Sequence, residues 1–422
     1  MDDSTVRGTL GFEFEFFPTV LCQWTLNEVQ AQAQSPDFIS KITGQESAMQ
    51  LEQLFPGCLV VATGQSLEKH AYIVRELLEH LRQKGLHVND TDANLMPKVP
   101  SDPALSEQVS PYAMNATDEK YHRWSVTEDI TVSSRGTFDP FDPRHTRDTY
   151  LENEIQGSHG VEIITPAITD TPGDYQEVVK VFNLLRGLFF LHVNDTCGLH
   201  VHVAFGKHVI TMPPLRKIAC LLFALDPFLA TIHPDHRTNN NASCPSIRKL
   251  SNVAKGWKFA DAVNDLNRSR MGADDEWDPV YAQTATNMGD SMLEYVAIPD
   301  AVAEIQACKK SEEVAWLLHC GFRANYNFNG FLDGTLNPTV EFREHAATTD
   351  AGRVVAWGRF CVALLRYAAF DMSDEDLKEI VMDCNEAETE SEPQRKAKLW
   401  QLLDFMNLQD NAFDLNVPRP RT

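Results

Sequence analysis

Residues 11–17 read GFEFEFF, which sets two carboxylates, Glu13 and Glu15, two positions apart. On a strand they share one face, about 7 Å apart, while Phe12, Phe14 and Phe16 take the other. Buried together, three phenylalanines would each contribute roughly 1.5–3 kcal/mol and anchor that face in a core. Carboxylates held so close repel each other unless a cation lies between them. A divalent metal is one resolution and a solvated strand face is the other. Two more stretches repeat the arrangement. In CGLHVHV, residues 197–203, His200 and His202 share a face with Leu199, Val201 and Val203 behind them. In TVEFREH, residues 339–345, Glu341 and Arg343 share a face, with Val340 and Phe342 opposite. Arg323 falls on the strand expected beside that one, and Glu162 lies in GVEIITP.

Each motif has an ordinary reading: a wet E-x-E face, a satisfied core histidine pair, a surface ion pair. Their recurrence argues for chemistry, because several strands each pair an apolar face with a face of metal-type or phosphate-type residues. Hard oxygen donors suit Mg²⁺ or Mn²⁺, and arginine forks grip phosphate at two points. No G-x-x-x-x-G-K-[ST] loop occurs, so a nucleotide would have to be held by metals and arginines on a sheet. Zinc is the rival for the histidines, but H-E-x-x-H is absent, and glutamates at i, i+2 suit magnesium better.

Composition narrows the classes. With 422 residues, 43% of them hydrophobic, the chain can bury a large core. A net charge of −23 disfavours nucleic acid and anionic membranes as partners. The nine cysteines (22, 58, 197, 220, 244, 308, 320, 361 and 384) form no C-x-x-C pair and read as reduced thiols. The N-terminus MDDSTVRG resembles no signal or transit peptide, and no apolar run reaches membrane-spanning length. A soluble cytoplasmic protein is expected.

The elements that must position these groups alternate irregularly. Strands are expected at 124–132 (with Asp129 beside Thr127), at 160–168 and at 197–205, and a hairpin at 322–328 with 339–345. Helices are expected from about Leu67 to Lys84, from Thr171-Pro172 to Leu191, at 213–232 with a break at Pro227, at 299–309, at 311–319 and at 349–370. Ser373 and Asp376 form a capping box for another, and Ala397–Met406 is a last helix. Residues 385–395, NEAETESEPQR, read as a solvated acidic linker. Segments 19–65, 89–119, 133–159 (with DPFDPRHTRD at its centre) and 246–300 read as insertions or loops. Several amphipathic strands favour an α+β class with a largely antiparallel sheet.

GFEFE, Asp129 in TEDITV, GVEIITP, CGLHVHV, Arg237 after the apolar helix, and FRANYN followed by TVEFREH occur in a family order. Together they resemble the amidoligases of the glutamine synthetase-like carboxylate–amine ligase superfamily, over roughly residues 8–370. The resemblance implies a curved antiparallel sheet holding ATP between two or three Mg²⁺ ions, with Mn²⁺ as an alternative. It implies Glu13, Glu15, Glu162 and Glu341 as metal ligands, His200 as a metal ligand or phosphate contact, and His202 of the same strand as a nucleotide or phosphate contact. Arg343 and Arg323 would neutralise the transferring phosphoryl group, with Glu341 counted among the catalytic residues. Arg237 would bind phosphate or substrate, and Asp129 substrate. The reaction implied is amide formation between a small-molecule or peptide carboxylate and an amine through an acyl phosphate. The catalytic domain would span 1–370, with 371–422 a helical extension. Two alternatives stay open: another metal-dependent phosphotransferase or hydrolase on the same sheet, and a nucleotide- or metal-binding protein without turnover.

Overall fold

A computed structural model describes residues 8–18, 20–22, 59–61, 66–86, 88, 123–133, 159–188, 191–205, 210–238, 244–270, 296–321, 323–332 and 338–414. The loops expected at 89–119 and 133–159 lie almost wholly outside these residues. Among them an eight-stranded sheet forms the centre. Its strands are β1 (Thr9–Pro18), β4 (Ser125–Ser133), β5 (His159–Ile164), β6 (Ile168–Thr169), β7 (Leu191–His192), β8 (Gly198–Ala204), β9 (Tyr326–Asn327) and β10 (Val340–Ala346). The order is β4-β5-β1-β8-β10-β9, every pair antiparallel, with β6 and β7 also paired to β1. Two short strands, β2 (Val20–Cys22) and β3 (Leu59–Val61), pair in parallel within the insertion expected at 19–65. An open antiparallel sheet with flanking helices is the α+β class expected.

The helices are α1 (Ser66–Gln83), α2 (Pro172–Leu188), α3 (Met212–Leu229), α4 (Asp235–Thr238), α5 (Ile247–Leu250), α6 (Phe259–Arg270), α7 (Ile298–Ala307), α8 (Ser311–Leu318), α9 (Ala351–Arg366), α10 (Asp374–Ala387), α11 (Glu392–Phe405) and α12 (Gln409–Asp414). Alternation makes the sheet two-faced. Phe12, Phe14 and Phe16 of β1, Val161 and Ile163 of β5, and Leu199, Val201 and Val203 of β8 are buried in one core. The Phe14 ring meets Phe182 of α2 edge-on, with centroids 4.3 Å apart. From α9, Gly358 lies so close that a Cβ there would be 2.4 Å from Phe12 Cζ, so only glycine lets this helix approach β1. α3 is buried nearly all round, which is why its sequence is apolar without a stripe. α10 and α11 pack onto it, and Leu377, Ile380, Leu399 and Leu403 belong to the same core.

Several expectations change. The strand expected at 322–328 shrinks to Tyr326–Asn327: the Asn325 carbonyl still accepts from Arg343 N, but its own N–H donates to the Pro245 carbonyl and not to β10. The acidic linker expected at 385–395 is solvated but shorter, with 389–394 exposed: Asn385–Ala387 finish α10 and Glu392 starts α11. Ser391 and Gln394 cap that start and Pro393 lies in its first turn, so a charged run becomes a tight helical connection. Residues 247–270, within a segment that showed no pattern, hold α5 and α6. Among the described residues no helix is long and apolar enough to cross a membrane.

Candidate functional site

The polar face of the sheet collects the glutamates and histidines by strand register. Glu13 pairs with His200, Glu15 with Glu162, and Glu341 with both His202 and Asn327. Partners opposite each other on an antiparallel ladder share a face, so side chains from β1, β5, β8 and β10 form one patch. His200 Nδ1 lies 3.4 Å from Glu13 Oε2, and its Nε2 lies 3.3 Å from Glu15 Oε1. His202 Nε2 is 3.2 Å from Glu13 Oε1, while its Nδ1 meets Thr339 Oγ1 at 3.0 Å. Arg343 Nη1 donates to Glu341 Oε1 at 2.5 Å and stands 3.4 Å from His200 Nδ1. Glu13, Glu15, His200 and Glu341 are all buried.

Neutral donors complete the set. The Gly198 N–H donates to Glu15 Oε2 at 2.5 Å, Asn327 Nδ2 to Glu341 Oε2 at 2.7 Å, and Thr127 Oγ1 to Glu162 Oε2 at 3.3 Å. Gly198 is a space requirement as well: a Cβ there would lie 2.6 Å from Arg237 Nη2 and 2.8 Å from His200 Nε2.

Electrostatics divide the two carboxylates of β1. Burial opposes ionisation of Glu13, but His202 and His200 outweigh it and hold its carboxyl well below the usual range. Burial raises Glu15, and Asp129 beside it adds to the effect. Burial likewise opposes ionisation of Glu341, yet His202 and Arg343 lower its pKa. One end of the patch is thus balanced by imidazole and guanidinium, and the other is crowded with carboxylate.

Among the described residues three triads place ligand atoms within 4.8 Å of one another: Glu13, Glu162 and His200; Glu13, His202 and Glu341; and Glu15, Asp129 and Glu162. Carboxylate oxygens with imidazole, and one all-carboxylate set whose Glu15 is raised by burial and further by Asp129, fit a divalent cation of the Mg²⁺ or Mn²⁺ kind.

The residues singled out from sequence divide as follows. Glu13, Glu15, Glu162, His200, His202, Glu341 and Arg343 converge. Asp129, expected as a substrate contact, stands in the all-carboxylate triad. Arg237 comes from α4, is buried, and donates to the Arg343 carbonyl at 2.5 Å. Arg323 sits in the turn before β9, and among the described residues no hydrogen bond or ion pair joins it to the patch. Sequence reasoning passed over Thr127, Asn327, Thr339 and Gly198, although Asn327 lies in FRANYN and Gly198 in CGLHVHV. It also missed Asp226, Asn325, Tyr326 and Glu344, which form a second polar cluster behind the sheet.

Comparison with models of protein families matches residues 7–253, more than half of the chain, to the family described as "Putative amidoligase enzyme". Comparisons with curated proteins and with solved structures gave no match.

Proposed function

The chain belongs to the amidoligase family, and from that premise we propose that it is an ATP-dependent carbon–nitrogen ligase with a glutamine synthetase-like sheet. The observation that carries this reading is the convergence of Glu13, Glu15, Glu162 and Glu341 with His200, His202 and Arg343 on one polar sheet face. The three triads would hold two or three Mg²⁺ or Mn²⁺ ions, Asp129 serving as a ligand beside Glu15. Bound there, such ions neutralise phosphate oxygens.

The chain's own groups supply the rest. The Arg343 guanidinium lies within the patch and is positioned to spread the charge of the phosphoryl group passing from ATP to a substrate carboxylate. Arg323, from the turn before β9, is a second cation for the same group. Arg237, which is buried and donates to the Arg343 carbonyl, acts by holding β10 in place. The carboxylate oxygen bonds to the γ-phosphorus as the bond to ADP breaks, giving an acyl phosphate. A neutral amine then attacks the acyl carbon, phosphate leaves, and the ammonium proton is lost. The acid is a small molecule or a peptide end. Among the cysteines with described side chains all seven are free thiols, which suits a reducing, cytoplasmic setting.

The test is product analysis with ATP, Mg²⁺ and panels of acids and amines. The ligase reading expects ADP, phosphate and an amide only where both acid and amine are present. A stable phosphorylated product, or ATP hydrolysis indifferent to the acid, would contradict it.

A further inference from the structure

Behind the polar patch, β10 carries an irregularity. Phe342 pairs with Val201 and His345 with Leu199, so three steps along β10 match two along β8. The extra residue falls at Arg343–Glu344. Arg343 keeps the patch face that alternation from Glu341 gives it, with Glu344 toward the core, and the extra residue turns His345, which strict alternation would return to the patch, to the core as well, where it packs against Trp357.

Glu344 is 1% exposed and fully engaged. Asn325 Nδ2 donates to its Oε1 at 2.9 Å, Tyr326 Oη–H donates to its Oε2 at 2.5 Å, and His233 Nε2 lies 3.5 Å away. Asn325 also accepts from Ile247 N at 2.9 Å and stands beside buried Asp226. Asp226 in turn accepts from Ser246 Oγ at 2.8 Å and Arg248 N at 2.9 Å. The peptide groups flanking the Arg343 Cα are held on both sides: its N–H donates to the Asn325 carbonyl at 2.8 Å, and its own carbonyl accepts from Arg237.

A buried network of this kind is unfavourable unless every member is satisfied, and it then fixes one geometry. We propose that Glu344 and Asn325 are positioning residues that hold the β10 bulge so that the Arg343 guanidinium meets the terminal phosphate of the nucleotide. This rests on the ligase reading. Burial pushes the Glu344 carboxyl up to about 8, so near neutrality it is mostly the protonated acid, and glutamine is its uncharged counterpart.

The test compares MgATP with MgADP binding by calorimetry, on wild type, Glu344→Ala, Glu344→Gln and Arg343→Ala, with thermal unfolding recorded for each. ATP carries the phosphate that Arg343 meets and ADP does not. Wild type should prefer ATP. Arg343→Ala should lose that preference by roughly tenfold to a hundredfold, the worth of a charge-assisted contact. Glu344→Ala should lose it similarly while still binding MgADP, and Glu344→Gln should restore it. If Glu344→Ala keeps the wild-type ATP-to-ADP ratio, or loses both nucleotides in step with its thermal stability, the positioning role is overturned and the ligase reading stands. Wild type that binds neither nucleotide overturns both.

Discussion

Glu15 on β1 and Glu162 on β5 stand directly opposite each other in the antiparallel ladder. Like charges in that relation are destabilising by a fraction of a kcal/mol to about 1 kcal/mol, yet Asp129 adds a third carboxylate to the same place. A fold that tolerates this arrangement gives up stability at a position where a cation can bind, which is the signature of a site and not of a strut.

Glu162→Gln should therefore raise the stability of the metal-free protein, by about 0.5–1 kcal/mol. It should weaken Mn²⁺ binding at least tenfold. Thermal unfolding in a chelator and calorimetric Mn²⁺ titration check the two halves. A variant that is less stable and binds metal normally would make Glu162 structural.

Gly198→Ala tests how tightly the patch is packed. The new methyl would meet Arg237 and His200 at well under van der Waals distance, and the Gly198 N–H that holds Glu15 would shift. Overpacking of this kind costs about 1–3 kcal/mol. Both unfolding temperature and metal affinity should fall, measured by scanning calorimetry and Mn²⁺ titration. An unchanged protein would mean the space around Gly198 is larger than the structure gives it.

Arg343→Ala should tighten divalent-metal binding severalfold while abolishing turnover of ATP. The guanidinium stands 2.5 Å from Glu341 Oε1 and competes with a cation for that carboxylate. Parallel Mn²⁺ titration and ADP-release assays read the two effects. A loss of both would place Arg343 among the residues that merely hold the fold.

Glu344 makes stability depend on pH. Its folded pKa, about 8, is above that of an unfolded glutamate, so the native state binds more protons across the interval between them. Its contribution is complete below the unfolded value and is lost as pH rises toward about 8, at roughly 1.4 kcal/mol per pH unit. Glu344→Gln removes that loss. The variant's stability relative to wild type should grow from pH 5 to pH 8 in urea unfolding; a constant difference would mean that Glu344 is ionised throughout.

The sheet face was legible in the sequence because alternation is a strict rule: E-x-E, H-x-H and E-x-R with apolar residues between them fix which side each group takes. Register was not legible. Nothing local says that Glu15 faces Glu162 or that Glu341 faces His202, since those pairings join residues more than a hundred positions apart. Asp129 shows the limit. Its parity with Thr127 places it on the polar face, but only the pairing of Thr127 with Glu162 brings it to Glu15. Asp226 and Glu344 were missed for another reason. One lies in an apolar helix and the other follows the E-x-R pair, so neither has a pattern of its own, and their meaning comes from Asn325 between them. The stretch 322–328 has a strand's composition, but only Tyr326–Asn327 pair with β10, because the Asn325 N–H goes to the Pro245 carbonyl.

The most direct test of the metal-and-nucleotide centre is calorimetric titration of ATP with and without Mg²⁺, on wild type and on Glu13→Gln. Glu13 contacts both histidines and enters two of the three triads, so one substitution touches most of the patch. The expected result is ATP binding that requires Mg²⁺ in wild type and is lost in a folded Glu13→Gln protein. Equal binding by both proteins, or binding indifferent to Mg²⁺, would contradict a nucleotide site built on this sheet.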